Sequence, residues 1–152
     1  ATDNPTGSCT AKGMPTIMEQ PYPMEFMQVG EDIHIRIEEY DTLRVIHMGS
    51  IAAPAGTQRS PLGYSAGQWQ GNSLLVTTTH VSWPWFDQAG IPQSDASVLT
   101  EKFTPGTDGS QLDYELVVTD PVNFLRPVSL KKYWLYIPTE QILPYECIAR
   151  QE

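Results

Sequence analysis

The segment 38–47 holds three side chains with complementary chemistry. Glu38 precedes a short turn centred on Tyr40-Asp41, and Arg44 and His47 follow it. A guanidinium can stabilise a developing oxyanion while an imidazole transfers a proton. Convergence of the three on one cavity would predict cofactor-free proton-transfer chemistry: isomerisation, elimination or hydration. Glu38 is also a candidate ligand-binding carboxylate.

The strands on either side of this turn are expected to form a β-hairpin, and its register decides which side chains are cross-strand neighbours. A two-residue turn at Tyr40-Asp41 predicts that His34 lies opposite His47, at the distance of a cross-strand pair. Two imidazoles this close can share a metal ion, but the sequence has no closely spaced His pair to anchor such a site. We therefore predict no metal site, and we expect His34 on the outer face of its strand.

Arg44 is a charged residue within an apolar strand pattern. A buried charge without a partner is very costly, so a buried Arg44 requires a carboxylate. Glu25 or Glu38 could supply that carboxylate. The alternative is an arginine at the rim of the fold, whose stem packs against apolar groups while its guanidinium reaches water.

The loop 80–87 combines aromatic rings with two groups capable of acid–base chemistry. His80 could act as a general base, with Asp87 fixing its tautomer. The aromatic side chains nearby predict a wall for a flat or partly apolar ligand. The alternative is a packed loop that plugs one end of the fold, with Asp87 capping backbone N–H groups. The predicted ligand-binding aromatic residues are Tyr64, Trp83, Trp85 and Phe86.

The two cysteines, Cys9 and Cys147, lie near opposite ends of the chain and have no CxxC or CxxH neighbours. A bridge between them would tie both terminal regions to the body of the fold. Two buried thiols are the alternative. A bridge favours the periplasm or the extracellular space, and a chain that begins with Ala1 is what we expect of a mature exported protein.

Composition excludes several functions. The chain has 152 residues, enough for one domain, and 18 acidic against 9 basic side chains give a net charge of -9. This charge argues against a nucleic-acid partner. No apolar run is long enough for a transmembrane helix, and no nucleotide-binding or cofactor motif is present.

Alternation of apolar and polar residues along the chain predicts short β-strands without helices. Gly71-Asn72 is a strong signal for a two-residue hairpin turn. The first 24 residues are rich in proline and predict an extended arm that packs through its methionines on an apolar surface. The predicted strands are 25–29, 32–39, 43–48, 65–70, 73–81, 97–103, 112–119, 128–137 and 142–148.

Eight to nine sequential strands predict an all-β fold, a single antiparallel up-and-down β-barrel over residues 25–152 preceded by the arm 1–24. A barrel of about this size is either filled or holds one small ligand. A two-sheet β-sandwich is the alternative architecture.

Several motifs resemble those of an uncharacterised family of small exported bacterial proteins. They are GMP at 13–15, PYPMEF at 21–26, GYSAGQWQGNSLLVTTT at 63–79, FDQAGIPQS at 86–94 and Asp120-Pro121. The resemblance extends from Cys9 to Cys147 and implies a lipocalin-like β-barrel with both end cysteines present. It implies that Glu38 and Arg44 are retained, whereas many members carry Tyr at the position of His47.

Three hypotheses of function follow. The first is an exported barrel that binds a partly apolar or aromatic small molecule. The second is a cofactor-free periplasmic enzyme that uses His47 or His80 as its base and Arg44 to stabilise an oxyanion. The third is a structural or accessory subunit that associates with itself or a protein partner through the N-terminal arm.

Overall fold

The computed structural model describes residues 9–147. One continuous sheet of eight strands curls into a half-barrel, which confirms the all-β, lipocalin-like prediction. Strand order in the sheet equals chain order. The strands are β1 (Met24–Val29), β2 (Asp32–Ile37), β3 (Thr42–Met48), β4 (Tyr64–Gln70), β5 (Ser73–Thr79), β6 (Val98–Pro105), β7 (Gln111–Thr119) and β8 (Val128–Leu135).

The concave face of the sheet carries the core. Alternate residues of each strand point to this face, as the period of two requires. On β2 the inward residues Ile35 and Ile37 are fully buried, while Arg36 between them is exposed. The fully buried apolar residues of the other strands are Ile46, Leu74, Val76, Leu99, Phe103, Tyr114, Leu116 and Val118.

One strand pair departs from the predicted antiparallel pattern. β3 and β4 are parallel, with Ile46 opposite Ser65 and Met48 opposite Gly67. A parallel pair needs a long connection that returns the chain to the starting end of the sheet, and residues 49–63 provide one. The other six strand pairs of the described sheet are antiparallel.

The β2–β3 hairpin has a longer turn than predicted. A short 3-10 segment, Glu39–Asp41, occupies it, and Tyr40 and Asp41 both have positive φ. Consequently His34 lies opposite Val45, and the predicted pairing of His34 with His47 is wrong. The register differs from the predicted one by two residues, so every side chain keeps its predicted face.

The half-barrel remains open along one side. Within residues 9–147, β1 pairs only with β2 and β8 pairs only with β7. The predicted ninth strand is not formed over 142–147, and Ile148, its last residue, lies outside the described residues. This tail is held instead by two side chains of the β2–β3 turn: the Leu143 N–H donates to Glu38 and the Tyr145 N–H donates to Asp41.

The described part of the N-terminal arm packs on its own sheet. Its 3-10 segment, Thr16–Glu19, buries Ile17 and Met18 in the core, and Met14 just before it is also fully buried. The Lys12 ammonium forms a buried ion pair with Glu39, 2.6 Å apart. These contacts hold the described part of the arm against its own sheet.

A disulfide joins Cys9 to Cys147, as predicted, with Cα atoms 5.7 Å apart. It fastens the arm to the tail beside the β2–β3 turn. The only helical segments in residues 9–147 are the two 3-10 turns, and neither approaches the length needed to cross a membrane.

Candidate functional site

The two ends of the half-barrel differ in how they are covered. The arm and the loop 80–97 cover the end that contains the β2–β3 turn, which we call the closed end. The opposite end, the open end, is bordered by the β1–β2 and β4–β5 turns and by the β6–β7 loop. At the open end the concave face is left accessible.

A cleft of about 340 Å³ lies at the open end. This volume falls within the range of small-molecule sites. The lining is apolar apart from Gln28, and we call it the open-end cleft. Its lining residues are Phe26, Met27, Gln28, Ile33, Trp69, Leu74, Phe103, Pro105 and Leu112.

Trp69 is the most accessible large group in this cleft. It pairs with Leu74 across the β4–β5 hairpin and points to the concave face, yet 61% of its surface is exposed. Behind it, the rings of Phe26 and Phe103 meet edge to face with centroids 5.6 Å apart. A large apolar ring exposed within a concavity is available for contact with a ligand.

Trp69 was not among the predicted site residues, although the sequence carried a signal for it. The Gly71-Asn72 turn fixes Trp69 opposite Leu74, and the period of two then places it on the same face as the buried Ser65. What the sequence did not show is which end of the barrel remains uncovered.

The predicted aromatic wall lies at the closed end, within the packing of the arm. Trp83 is 6% exposed, and its Nε1–H donates to the Thr16 hydroxyl over 2.8 Å. Phe86 is equally buried and packs edge to face on Phe124. Trp85 accepts a hydrogen bond from Thr16 through its carbonyl. These residues form the plug that was the alternative interpretation, so we do not assign them to ligand binding.

Asp87 and His80 occupy separate turns of the closed end. The Asp87 carboxylate accepts hydrogen bonds from the backbone N–H groups of Ala89 and Ile91, in the capping role considered above. The His80 ring is hydrogen-bonded to the neighbouring Thr79 hydroxyl over 2.9 Å. Asp87 therefore stabilises its own turn, and the structure gives it no role in orienting His80.

Arg44 is buried in the interior, where its partner is Glu101 rather than the predicted Glu25 or Glu38. The guanidinium donates to both carboxylate oxygens of Glu101 and also to the hydroxyls of Ser65 and Thr78. The Tyr114 hydroxyl donates to Glu101 over 2.7 Å. Arg44 is 1% exposed and Glu101 is 3% exposed.

Electrostatics keeps Arg44 charged and the Tyr114 hydroxyl protonated. Burial opposes the charge on Arg44, but the attraction of Glu101 outweighs it and raises the pKa of the guanidinium. Burial, reinforced by the negative charge of Glu101, raises the pKa of Tyr114 well above its usual value. The phenol therefore remains a hydrogen-bond donor. The network is internally satisfied and none of its five side chains lines the open-end cleft, so it acts as a polar core.

His47 is on the other side of the sheet. Three positions separate it from Arg44 along β3, so the two side chains point to opposite faces. Its ring stacks on Tyr64 with centroids 4.5 Å apart and contacts the Asp32 carboxylate. Hydrogen bonds, chiefly from the backbone N–H of Met48, lower the pKa of Asp32. The predicted convergence of Arg44, His47 and Glu38 on one cavity is not formed.

A second cavity, of about 300 Å³, separates the arm from β7 and β8. The Lys132 ammonium borders it, donates to the Met18 carbonyl and lies over the Trp134 ring. Burial lowers the pKa of Lys132 and raises the pKa of Glu19 across the same gap. Because Lys132 already bonds the arm, we regard this cavity as the joint between arm and sheet.

No group of three or more His, Cys, Asp or Glu side chains within residues 9–147 is arranged to hold a metal ion. Comparison of the chain with protein-family models, curated proteins and solved structures gives no match. Among the described residues, the open-end cleft is the strongest candidate for a functional site.

Proposed function

We propose that this protein binds a small, largely apolar molecule in the open-end cleft. The observation that carries the proposal is the position of Trp69, which points into the concave face while 61% of its surface stays exposed. Folded domains seldom leave such apolar concavities uncovered unless they serve an interaction.

The cleft also favours one kind of ligand. Phe26, Trp69 and Phe103 offer ring faces and edges, and aliphatic side chains complete the walls. Gln28 supplies the only side-chain amide among the lining residues, at the edge of the cleft. A flat aromatic or short aliphatic body therefore fits the lining better than a sugar or a peptide, because polar ligands need more hydrogen-bonding partners.

The disulfide supports an oxidising compartment as the place of this binding function. Cystine bridges persist in oxidising compartments, and the bridge here closes a loop with a sequence separation of 138 residues. We place the binding function in the periplasm or the extracellular space. There the protein would sequester or deliver a ligand that is poorly soluble in water.

A fluorescent apolar probe tests the proposal. We expect N-phenyl-1-naphthylamine, an uncharged fluorophore, to bind saturably with one probe per chain. Substitution Trp69→Ala should weaken its affinity about tenfold or more, because the ring's apolar contact is lost. Tyr133→Ala is the matched control, since Tyr133 is 59% exposed but points to the outer face of β8.

Two results would overturn the proposal. One is saturable binding that neither variant changes, which would place the probe elsewhere. The other is a dimer in sedimentation experiments that Trp69→Ala converts to a monomer, without probe binding by either form. That result would assign the cleft to association with a second copy of the chain.

A further inference from the structure

The loops that border the open-end cleft carry negative charge only. Glu31 lies in the β1–β2 turn and Asp108 lies in the β6–β7 loop, each a few residues from side chains that line the cleft. Asp32 and Asp113 adjoin the lining residues Ile33 and Leu112 in sequence, but they lie on the outer face of the sheet, where Asp32 contacts His47. The bordering segments 28–33, 69–74 and 105–113 contain no Lys or Arg.

The Asp108 carboxylate is ionised near neutral pH. Hydrogen bonds from the N–H and hydroxyl of Ser110 lower the pKa of Asp108, and Asp32 is shifted in the same direction as described above. The nearest basic residue in sequence to this lining, Lys102, is exposed on the outer face of β6. The net charge of -9 adds a field of the same sign.

We infer that the open-end cleft selects apolar molecules that carry a cationic group and rejects anionic molecules of the same shape. The inference rests on the proposed function and assigns its ligand class. An apolar body would occupy the lining, while an ammonium at the rim would meet the carboxylates of Glu31 and Asp108. The exposed ring of Trp69 offers the same ammonium a cation–π contact.

A matched series of competitors tests this selectivity. Decyltrimethylammonium, decanol and decyl sulfate share one tail and differ in the charge of the head group. Each would be used below its micelle concentration to displace bound N-phenyl-1-naphthylamine. We expect the cation to displace the probe best and the sulfate worst, with about a tenfold difference at low ionic strength that shrinks at about 0.5 M salt.

A pair of double variants separates the effect of the rim carboxylates on ligand preference from the effect of the net charge. Glu31→Gln with Asp108→Asn should reduce the preference for the cation at least severalfold. Asp95→Asn with Glu146→Gln changes the net charge equally but alters exposed residues far from the lining, in the closed-end loop and in the tail. This control should keep the preference.

The outcomes distinguish failure of the charge selectivity from failure of the proposed binding function. Equal displacement by all three competitors, or stronger displacement by the sulfate, would overturn the charge selectivity and leave an apolar binding protein. Equal loss of preference in both double variants would also overturn the role of the rim. Failure of the unmodified protein to bind the probe would overturn the proposed function itself.

Discussion

Arg44 and Glu101 bring opposite charges into the interior of the half-barrel, where either charge alone would be very unfavourable. Their cost is offset by a bidentate contact, by a hydrogen bond from Tyr114 to Glu101, and by hydrogen bonds that Arg44 donates to the hydroxyls of Ser65 and Thr78. Because these five side chains come from β3, β4, β5, β6 and β7, the network also specifies how five strands face one another.

Glu101→Leu should strongly destabilise the fold, because it leaves the Arg44 guanidinium buried without a counter-charge. We expect a loss of about 3–5 kcal/mol in the free energy of unfolding, measured by urea titration. The double variant Arg44→Leu/Glu101→Leu should recover most of this loss. The control is Glu115→Ala, which breaks the exposed pair with Lys131 and should cost far less, because exposed ion pairs contribute little to stability. Similar losses from Glu101→Leu and Glu115→Ala would contradict this account.

Asp120 makes a pH-dependent contribution to the free energy of unfolding. Burial opposes its ionisation, but hydrogen bonds from the side chains of Asn123 and Ser94 and from the backbone of Ser94 and Val122 outweigh burial and lower its pKa to about 2. Since the folded-state pKa lies below the unfolded-state value of 3.8, the stabilisation is complete above pH 4 and is lost as the pH falls towards 2.

Asp120→Asn should therefore lower the free energy of unfolding by about 2 kcal/mol at pH 7. The difference between wild type and variant should diminish between about pH 4 and pH 2. Urea unfolding at a series of pH values measures both effects. A constant difference across this range would show that the carboxylate charge is not responsible.

For single residues, the sequence predicted which side chain requires a partner better than it predicted which residue that partner is. The apolar neighbours of Arg44 showed that a buried guanidinium would require a carboxylate. Glu101, however, is 57 positions away along the chain, and no local pattern distinguishes it from Glu25 or Glu38. Closeness in space between distant strands depends on the order and register of the whole sheet.

At the scale of elements, strand positions were predictable and strand direction was not. Alternation showed which residues face inward and located all eight strands to within a few residues. It is the same for parallel and antiparallel pairs, so it could not show that β4 runs parallel to β3. The β2–β3 register failed because Glu38 and Glu39 also belong to the turn, in helical conformation, so the turn contains four residues instead of two.

The packing of the arm depends on the close contact of Gly13 with Pro61 and Trp83. A Cβ atom there would overlap the Pro61 carbonyl oxygen and the Trp83 side chain, so Gly13→Ala must displace one of them. We expect a loss of about 1–3 kcal/mol in the free energy of unfolding, measured with urea. Gly106→Ala is the matched control, because its Cβ would have 3.4 Å or more of space. Equal stability of the two variants would mean that the arm does not need this approach.

At the scale of the molecule, the bridge between Cys9 and Cys147 fastens the two terminal regions at the closed end. The double variant Cys9→Ser/Cys147→Ser should lose about 2–5 kcal/mol in the free energy of unfolding. Reduction of the wild type should give the same unfolding curve as the variant. Both forms should retain probe binding, because the bridge and the open-end cleft lie at opposite ends. Equal stability of the oxidised wild type and the variant would contradict this role.

The sequence predicted the bridge because the only two cysteines lie near opposite ends of the chain. It could not predict which end of the half-barrel would be covered. The aromatic loop 80–87 and the arm are both apolar, and each could have lined a cavity or filled one. They fill it because they pack against each other, through contacts such as the hydrogen bond from Trp83 to Thr16.

The short distance between Cys9 and Cys147 has a consequence for chain connectivity. Their Cα atoms are 5.7 Å apart, a gap that about two residues of extended chain can span. A peptide linker could therefore replace the sulfur bridge, and the backbone could be cut between the exposed residues Gly71 and Asn72 instead. Such a circular permutant would keep every strand pair intact while its new termini flank Trp69.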